Sequence, residues 1–196
     1  MFSQGGEEKI ILGATEMLDG PRCVLDIGAY DGLTYSNSAA LINKGWNAVL
    51  IEPCPFAFAK LMVRYADNPR VKLINAAMGM ENRLVAFWDF QDDLCSTTIE
   101  GNADLWAKTG RKCKKYWVAQ MTPAMLVNEV AGGYDVISID AEGVSVEILK
   151  SLPIGAWIPK VICVEHDQRL VEAADWGREK GFQPAYLDAQ NLILTR

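Results

Sequence analysis

The sequence contains a single histidine, no long apolar run and no cysteine pair with C-x-x-C spacing. Its five cysteines are an odd number at scattered positions, which indicates neither a disulfide framework nor a zinc site. No stretch approaches the roughly 18 consecutive apolar residues that a membrane span requires, and the polar N-terminus lacks the basic-then-apolar pattern of a signal peptide. These absences predict a cytoplasmic protein that does not enter a membrane.

Basic residues are also in short supply. The 19 lysines and arginines are outnumbered by 25 acidic residues, so the net charge at pH 7 is −6 and the sequence pI is about 4.9. Phosphate backbones are bound chiefly by basic side chains that displace counterions, so this composition disfavours nucleic acid as a partner. With 50% hydrophobic and 22% charged residues, the chain suits a single globular domain over residues 1–196.

Short apolar runs alternate along the chain with amphipathic segments of helical length. The runs predict strands at Cys23–Ile27, Ala48–Ile51, Val71–Ile74, Tyr134–Ile139 and Val161–Val164, followed by a hairpin of Phe182–Leu187 and Asn191–Thr195. Helices are predicted at Glu7–Leu18, Leu33–Lys44, from Pro55 onward, from Thr122 to Gly133, at Glu142–Leu152 and at Gln168–Lys180.

Apolar strands joined by helices predict parallel pairing, with helices on both faces of the sheet. Right-handed crossovers then place the first three strands in the order 3-2-1, and the terminal hairpin adds an antiparallel strand. The predicted fold class is therefore α/β: a doubly wound, mostly parallel seven-stranded sheet with an antiparallel C-terminal hairpin. Residues 79–121 are interpreted as an insertion between the third and fourth core strands, with strands at Leu84–Phe90 and Tyr116–Ala119 around a polar, partly basic loop.

The turn after the first strand has glycines, but not in the dinucleotide-binding pattern G-x-G-x-x-G. Three other residues separate Gly28 from Gly32, which argues against an NAD(P)-dependent oxidoreductase. Ligands of such sheets bind beyond the carboxyl ends of the strands, where Gly28 lets the backbone approach them closely. Asp26 ends a buried strand, which costs several kcal/mol unless the carboxylate has a partner, such as the α-amino group of a methionine moiety. An ordinary strand–turn–helix junction is the alternative.

Glu52 stands at the end of the second predicted strand, 20 residues after Gly32. A carboxylate at this position accepts hydrogen bonds from both ribose hydroxyls in nucleotide-binding folds. Alone it is weak evidence, because strand ends are often acidic and solvated. Together with Asp26 it predicts a cleft for S-adenosylmethionine.

Two further polar clusters follow the fourth and fifth core strands. The first contains Asp140 and Glu142, and the second contains Glu165, His166 and Asp167. Both strand ends lie beside the first strand in a sheet of this type, so we expect these side chains near the mouth of the cleft. Capping and dipole compensation at a helix start would also explain the first cluster.

The sequence resembles the FkbM-type methyltransferase family from Val24 to Arg196. The matching features are Asp26-Ile27-Gly28-Ala29 with Asp31-Gly32, Ser36-Asn37-Ser38, Gly45-Trp46, Ile51-Glu52-Pro53, Asn75-Ala76-Ala77, Asp140 with Glu142-Gly143, Glu165-His166 and the final hairpin. The resemblance implies a class I, Rossmann-like fold, S-adenosylmethionine as methyl donor, and a hydroxyl acceptor on a sugar, glycan or secondary metabolite. Tyr30 and Asp167 depart from the pattern, since the family commonly has Asn at the first position and we expect Asn at the second.

The resemblance extends the set of expected site residues. Those expected to bind the cofactor are Asp26, Gly28, Ala29, Tyr30, Asp31, Gly32, Ser36, Glu52, Pro53, Ala76 and Asp140. Removing the proton of a hydroxyl acceptor requires a general base. His166 and Asp140 are the candidates for this catalytic role, and Glu142 is expected to orient cofactor or acceptor. The resemblance implies no metal, although the oxygen-rich cluster would suit a divalent cation.

Two alternatives and one surface feature stay open. The chain could be an NAD(P)-dependent oxidoreductase, or a catalytically silent module that binds S-adenosylmethionine and a partner protein. The segment Lys108–Lys115 carries five of the 19 basic residues. It is either a solvated loop or part of a site for an anionic acceptor, such as a phosphorylated or uronic sugar.

Overall fold

Seven strands form the main sheet of the computed structural model, which describes residues 2–19, 22–90, 96–130 and 133–196. They are β1 (Cys23–Ile27), β2 (Asn47–Ile51), β3 (Val71–Ile74), β7 (Val136–Ile139), β8 (Val161–Glu165), β9 (Gln183–Leu187) and β10 (Asn191–Thr195). Their order is β3-β2-β1-β7-β8-β10-β9, with β10 antiparallel to both its neighbours and the remaining pairs parallel. The predicted fold class and the strand order 3-2-1 are confirmed.

A second sheet lies between β3 and β7 in sequence. It consists of β4 (Ala77–Met78), β6 (Lys114–Met121) and β5 (Arg83–Asp89), in that order. The sequence predicts its two long strands, but not the helix α4 (Glu100–Ala107) that lies between them where a loop was expected. Residues 91–95 of this segment lie outside the described residues.

Helices cover both faces of the main sheet. They are α1 (Glu7–Thr15), α2 (Ala39–Asn43), α3 (Pro55–Tyr65), α5 (Ser145–Ser151) and α6 (Leu170–Glu179). Successive strand residues point to opposite faces, so Leu25 packs with α5 and α6 while its neighbour Val24 packs with α1, α2 and α3. No helix in the described ranges is long and apolar enough to span a membrane.

Two helices differ most from the sequence prediction. Helix α2 begins at Ala39 rather than Leu33, because Asp31 accepts backbone hydrogen bonds at 2.9 and 2.8 Å from the second and third residues after it. Tyr35 then adopts a left-handed φ of 53°. The segment after Thr122 forms only a 3₁₀ turn, Pro123–Leu126, and the Thr122 side chain makes no capping hydrogen bond.

Candidate active site

A cleft of about 380 Å³ follows the carboxyl ends of β1, β2, β7 and β8 and reaches the first residue of β10. Ten residues expected in the site line it: Asp26, Gly28, Ala29, Tyr30, Ser36, Glu52, Pro53, Ala76, Asp140 and Glu142. Three others that the sequence placed there, Asp31, Gly32 and His166, are not among its described lining residues.

Asp26 is held at the floor of the cleft and is only 4% exposed. The Ser38 hydroxyl donates a hydrogen bond to its Oδ2 at 2.5 Å. Burial raises the pKa of Asp26 to about 6, the nearby carboxylate of Asp140 adds to this rise, and hydrogen bonds from Ser38 and Ser138 oppose it. A cation bound beside Asp26 would therefore favour its ionised form.

Glu52 is fixed by the backbone of two different loops. Its Oε2 accepts a hydrogen bond from the N–H of Tyr30 at 2.9 Å, and its Oε1 accepts one from Cys54 at 2.7 Å. Burial raises its pKa to about 7 despite these bonds, and Asp140 and Asp26 contribute further. Each carboxylate oxygen keeps a second lone pair, so Glu52 can still accept two hydroxyl donors.

Gly28 brings the loops after β1 and β7 together. It has a φ of 85°, and a Cβ atom at this position would lie 1.7 Å from the carbonyl oxygen of Asp140. The N–H of Asp140 donates to the carbonyl of Ile27 at 2.9 Å, which closes the junction from the other side. Only glycine fits here, since the obstacle is backbone that cannot rotate away.

Three carboxylates meet at the ends of β7 and β8. Ligand oxygens of Asp140, Glu142 and Glu165 lie within 4.8 Å of one another, and Asp140 is open to the cleft. Desolvation within the cleft and the negative charge of Asp167 raise the pKa of Asp140, while burial and the neighbouring carboxylates raise that of Glu165. The two carboxyl groups therefore titrate together, and Asp140 is the one open to the cleft. Three such oxygens would also suit a divalent cation.

Asp167 positions the loop that carries Glu142. Its two carboxylate oxygens accept hydrogen bonds from the N–H groups of Gly143 and Ser145, each at 3.0 Å. An asparagine, which the sequence comparison led us to expect here, offers only one acceptor oxygen, so the departure has a structural role. Helix α5 begins at Ser145 rather than Glu142, because Glu142 and Gly143 have left-handed φ angles of 28° and 93°.

Backbone strain is concentrated around the cleft. The described non-glycine residues with positive φ are Tyr30, Tyr35, Glu142, Asp167 and Gln168. All of them follow the carboxyl ends of β1, β7 or β8. Such conformations cost about 1–3 kcal/mol each, and they cluster at sites whose geometry the surrounding structure enforces.

Gly32 and His166, which do not line the cleft, pack against neighbouring elements instead. Gly32 packs under α3, where a Cβ would lie 2.6 Å from both Leu61 and Tyr65. His166 is 8% exposed, and its backbone N–H donates to the Gln190 carbonyl at 2.8 Å. Its Nε2 lies 3.4 Å from the carbonyl oxygen of Asp188. Since adjacent strand-end residues point in opposite directions, Glu165 faces the cleft and His166 faces the hairpin.

Several lining residues escaped prediction. They come from distant segments and are Gln4, Glu7, Phe56, Lys60, Trp106, Gln190 and Asn191. One signal was available for Asn191: the start of an antiparallel strand lies at the same sheet edge as the carboxyl ends of its parallel neighbours. No sequence pattern marks Gln4 or Trp106.

A mostly parallel seven-stranded sheet with an antiparallel last hairpin, and acidic residues at or just after the ends of its first two strands, is the layout of class I methyltransferases. The sequence matches the Methyltransferase FkbM domain over residues 26–184. The chain belongs to this family, and the protein is a methyltransferase. No curated protein matches the sequence.

Solved structures agree with this fold. A putative caffeoyl-CoA O-methyltransferase from Staphylococcus aureus superposes with a TM-score of 0.54 at 11% identity, over 100% of this chain and 86% of the other. The fibrillarin pre-rRNA processing protein of Methanococcus jannaschii gives a TM-score of 0.52 at 15% identity, over 97% of this chain and 76% of the other. At these identities the likeness concerns the fold alone.

Proposed function

We propose that the protein uses S-adenosylmethionine to methylate a hydroxyl group of a sugar, glycan or secondary metabolite. The carrying observation is the pair of buried carboxylates, Asp26 and Glu52, that line one cleft at the ends of adjacent strands. The chemistry of this pair fits the donor. Asp26 is suited to its ammonium group and Glu52 to its ribose hydroxyls, while Ala57, Met78 and Phe87 offer apolar surface for the adenine.

The reaction divides into positioning and proton removal. When bound, the donor would supply a methyl group on a sulfonium, and its transfer to the acceptor oxygen would leave the donor sulfur as a neutral thioether. Asp140 is our favoured general base, because it lines the cleft and its raised pKa makes it a better proton acceptor than an ordinary surface aspartate. Glu142 orients the acceptor from the same loop. His166, the other candidate base, would have to act from outside the lining of the cleft.

The proposal also covers the class of acceptor and the cellular compartment. An acidic chain with a net charge of −6 is poorly suited to nucleic acid, so the acceptor is a small molecule or glycan. The thiols of Cys23, Cys54 and Cys163 are free and buried, which suits a reducing compartment such as the cytoplasm. Membership of a methyltransferase family argues against the oxidoreductase alternative. A catalytically silent module would be recognised in the tests by donor binding without methyl transfer.

The donor assignment predicts which carboxylates matter. Asp26→Asn and Glu52→Gln should each weaken S-adenosylmethionine binding at least about tenfold, because each removes a charge-assisted hydrogen bond worth about 1.5–3 kcal/mol. Isothermal titration calorimetry on the folded variants measures this. Asp67→Asn, an exposed carboxylate in the loop after α3, is the matched control and should bind like the wild type. Unchanged affinity in both test variants would refute the assignment.

A further inference from the structure

The chain before α1 lies against the tip of the C-terminal hairpin. We call residues 2–6 the N-terminal segment and residues 188–190 the hairpin turn. Gln4 of the segment and Glu7 of α1 line the cleft together with Gln190 and Asn191. One wall of the cleft is thus built from the two opposite ends of the sequence.

Glu7 joins these two ends. It is 1% exposed, and its Oε1 accepts a hydrogen bond from Asn191 Nδ2 at 3.0 Å. Its Oε2 accepts one from the N–H of Gly5 at 2.7 Å. The carboxylate therefore fixes the N-terminal segment on one side and the start of β10 on the other, as a neutral side chain with a single acceptor oxygen could not.

A second contact holds the segment in place. The Tyr186 hydroxyl accepts a hydrogen bond from the N–H of Gly6 at 3.2 Å and donates to Asp188 Oδ2 at 3.1 Å. Cβ atoms at Gly5 and Gly6 would lie 3.2 Å from Tyr186 atoms, which shows how closely the N-terminal segment approaches β9. The exposed side chain of Gln4 is thereby carried to the cleft.

This wall stands at the opposite end of the cleft from the donor carboxylates. Asn191 pairs with Glu165 in the sheet, whereas Asp26 is the last but one residue of β1 and Glu52 directly follows β2. The sheet order puts β7, β8 and β10 on the far side of β1 from β2, so Asn191 is about 19 Å from the β2 end at four strand spacings. The three-carboxylate cluster lies between, where the methyl group must meet its acceptor.

The charges at this end are unbalanced. Seven carboxylate residues line the cleft, and Lys60 is the one cationic residue among its described lining residues. Asp26 and Glu52 face a donor that carries a net positive charge, but Glu7, Asp140 and Glu142 lie toward the acceptor. An anionic acceptor would be repelled there, since like charges in a partly desolvated cleft are weakly screened. The amides of Gln4, Gln190 and Asn191 offer both donors and acceptors to uncharged hydroxyl groups.

We infer that the N-terminal segment and the hairpin turn form the acceptor subsite of the methyltransferase, and that this subsite selects uncharged, hydroxyl-rich molecules against anionic ones. Gln4 contacts the acceptor, and Glu7 is a positioning residue that fixes the positions of Gln4 and Asn191 relative to each other. The inference rests on the proposed function, because it requires the donor to occupy the β1–β2 end of the cleft.

The test starts from matched acceptors that differ in charge alone. Methyl glycosides of common hexoses are incubated with the enzyme and isotopically labelled S-adenosylmethionine, alongside the corresponding uronic acid glycosides, in which a carboxylate replaces the C6 hydroxymethyl group. Donor affinity is measured separately by calorimetry. We expect transfer to neutral members with kcat/KM at least about tenfold above that of their acidic partners.

Variants then locate the subsite. Gln4→Ala and Glu7→Gln should each raise the KM of the best neutral acceptor about fivefold or more, the effect of one lost hydrogen bond, while kcat and donor affinity stay unchanged. Gln4→Lys, at an exposed position, should lower the preference for neutral over acidic acceptors. Glu16→Gln, an exposed change of the same chemistry at the end of α1, should have no effect.

The outcomes distinguish a failure of the proposed function from a failure of the proposed acceptor subsite. Failure to bind S-adenosylmethionine overturns the proposed function itself. Donor binding with preference for the acidic series, or with an unchanged KM in Gln4→Ala, overturns the acceptor subsite alone. Donor binding with no transfer to either series favours the silent donor-binding module and overturns both.

Discussion

The two ends of the cleft are built in different ways. At the donor end, Asp26 and Glu52 are 4% and 6% exposed and are anchored by hydrogen bonds from neighbouring loops. At the acceptor end, Asp140 is open to the cleft, Glu142 has a strained backbone, and the wall comes from both chain termini. The donor end is thus built from the consecutive elements β1, α2 and β2 and their loops, whereas the acceptor end is assembled from four distant segments. We expect substitutions at the two ends to separate donor binding from turnover.

The largest effect is expected where the two ends touch, at Gly28. Gly28→Ala would place a Cβ 1.7 Å from the Asp140 carbonyl oxygen and force a left-handed φ of 85° on a residue with a side chain. The loops after β1 and β7 must separate, so donor binding should be lost and the free energy of unfolding should fall by about 3 kcal/mol or more. Calorimetry and thermal unfolding measure the two effects.

Gly45→Ala is the matched control for Gly28. Its φ is 87°, but a Cβ there would meet nothing within 4 Å. This substitution carries the conformational cost of about 1 kcal/mol without the collision, and donor affinity should not change. Equal losses of stability in the two variants would mean that backbone strain, rather than the loop junction, explains the requirement at Gly28.

The second prediction concerns the acceptor end alone. Asp140→Asn should lower kcat by about 10²–10⁴, because it removes the favoured general base and leaves a side chain that cannot accept a proton. His166→Ala should lower kcat much less, since His166 lies at the hairpin turn and outside the cleft lining. Steady-state kinetics with a saturating donor compares the two. A loss of about 10² or more in His166→Ala, with intact donor binding, would return the base role to the histidine.

The same contrast explains how far the sequence can predict this molecule. All seven strands of the main sheet were placed within two residues of their observed ends, because strand burial follows from apolar runs. The helices after β1, β7 and β8 start later than predicted, at Ala39, Ser145 and Leu170. In each case left-handed residues and side-chain hydrogen bonds lengthen the loop at the cleft, so the pattern for helix formation continues into residues that the site holds in other conformations.

Prediction of the site followed the same division. Asp26, Gly28 and Glu52 were predicted as site residues because each lies at the end of a strand that an apolar run marks, or directly after it. Glu7 was assigned only to a helix, because its partner Asn191 is 184 residues away and no local pattern reports that contact. Contacts between residues far apart in the chain therefore could not be predicted from the sequence.

The third prediction concerns the pH dependence of donor binding. Bound donor favours the ionised forms of Asp26 and Glu52, whose pKa values are raised to about 6 and about 7. Donor affinity should therefore be about tenfold or more weaker at pH 5.5 than at pH 8, because protons must first leave both groups. Calorimetry at the two pH values checks this, and Glu52→Gln should remove the upper part of the dependence.

The stability of the free protein should show the opposite trend from these two groups. Their folded pKa values lie above the ordinary values of 3.8 and 4.5, so their contribution is fully present below about pH 4 and is lost as the pH rises through 6 and 7. The rise in melting temperature caused by donor should consequently be larger at pH 8 than at pH 5.5. A rise independent of pH would show that the donor does not engage the carboxylates in their ionised form.

The smallest effect is expected at the basic segment Lys108–Lys115, whose basic side chains are exposed and absent from the described cleft lining. Arg111 lies over the Trp106 ring at 4.9 Å and Lys114 lies over the Phe56 ring at 5.7 Å, and both rings line the cleft. Reversing Arg111 and Lys112 to Glu should change the acceptor KM less than about twofold at physiological salt, because both side chains are exposed to solvent and do not line the cleft, so that salt screens their charge. Kinetics at low and high ionic strength measure this. A several-fold rise in KM that disappears in high salt would favour an anionic acceptor after all, and would place the recognition of the acceptor at the insertion rather than at the chain termini.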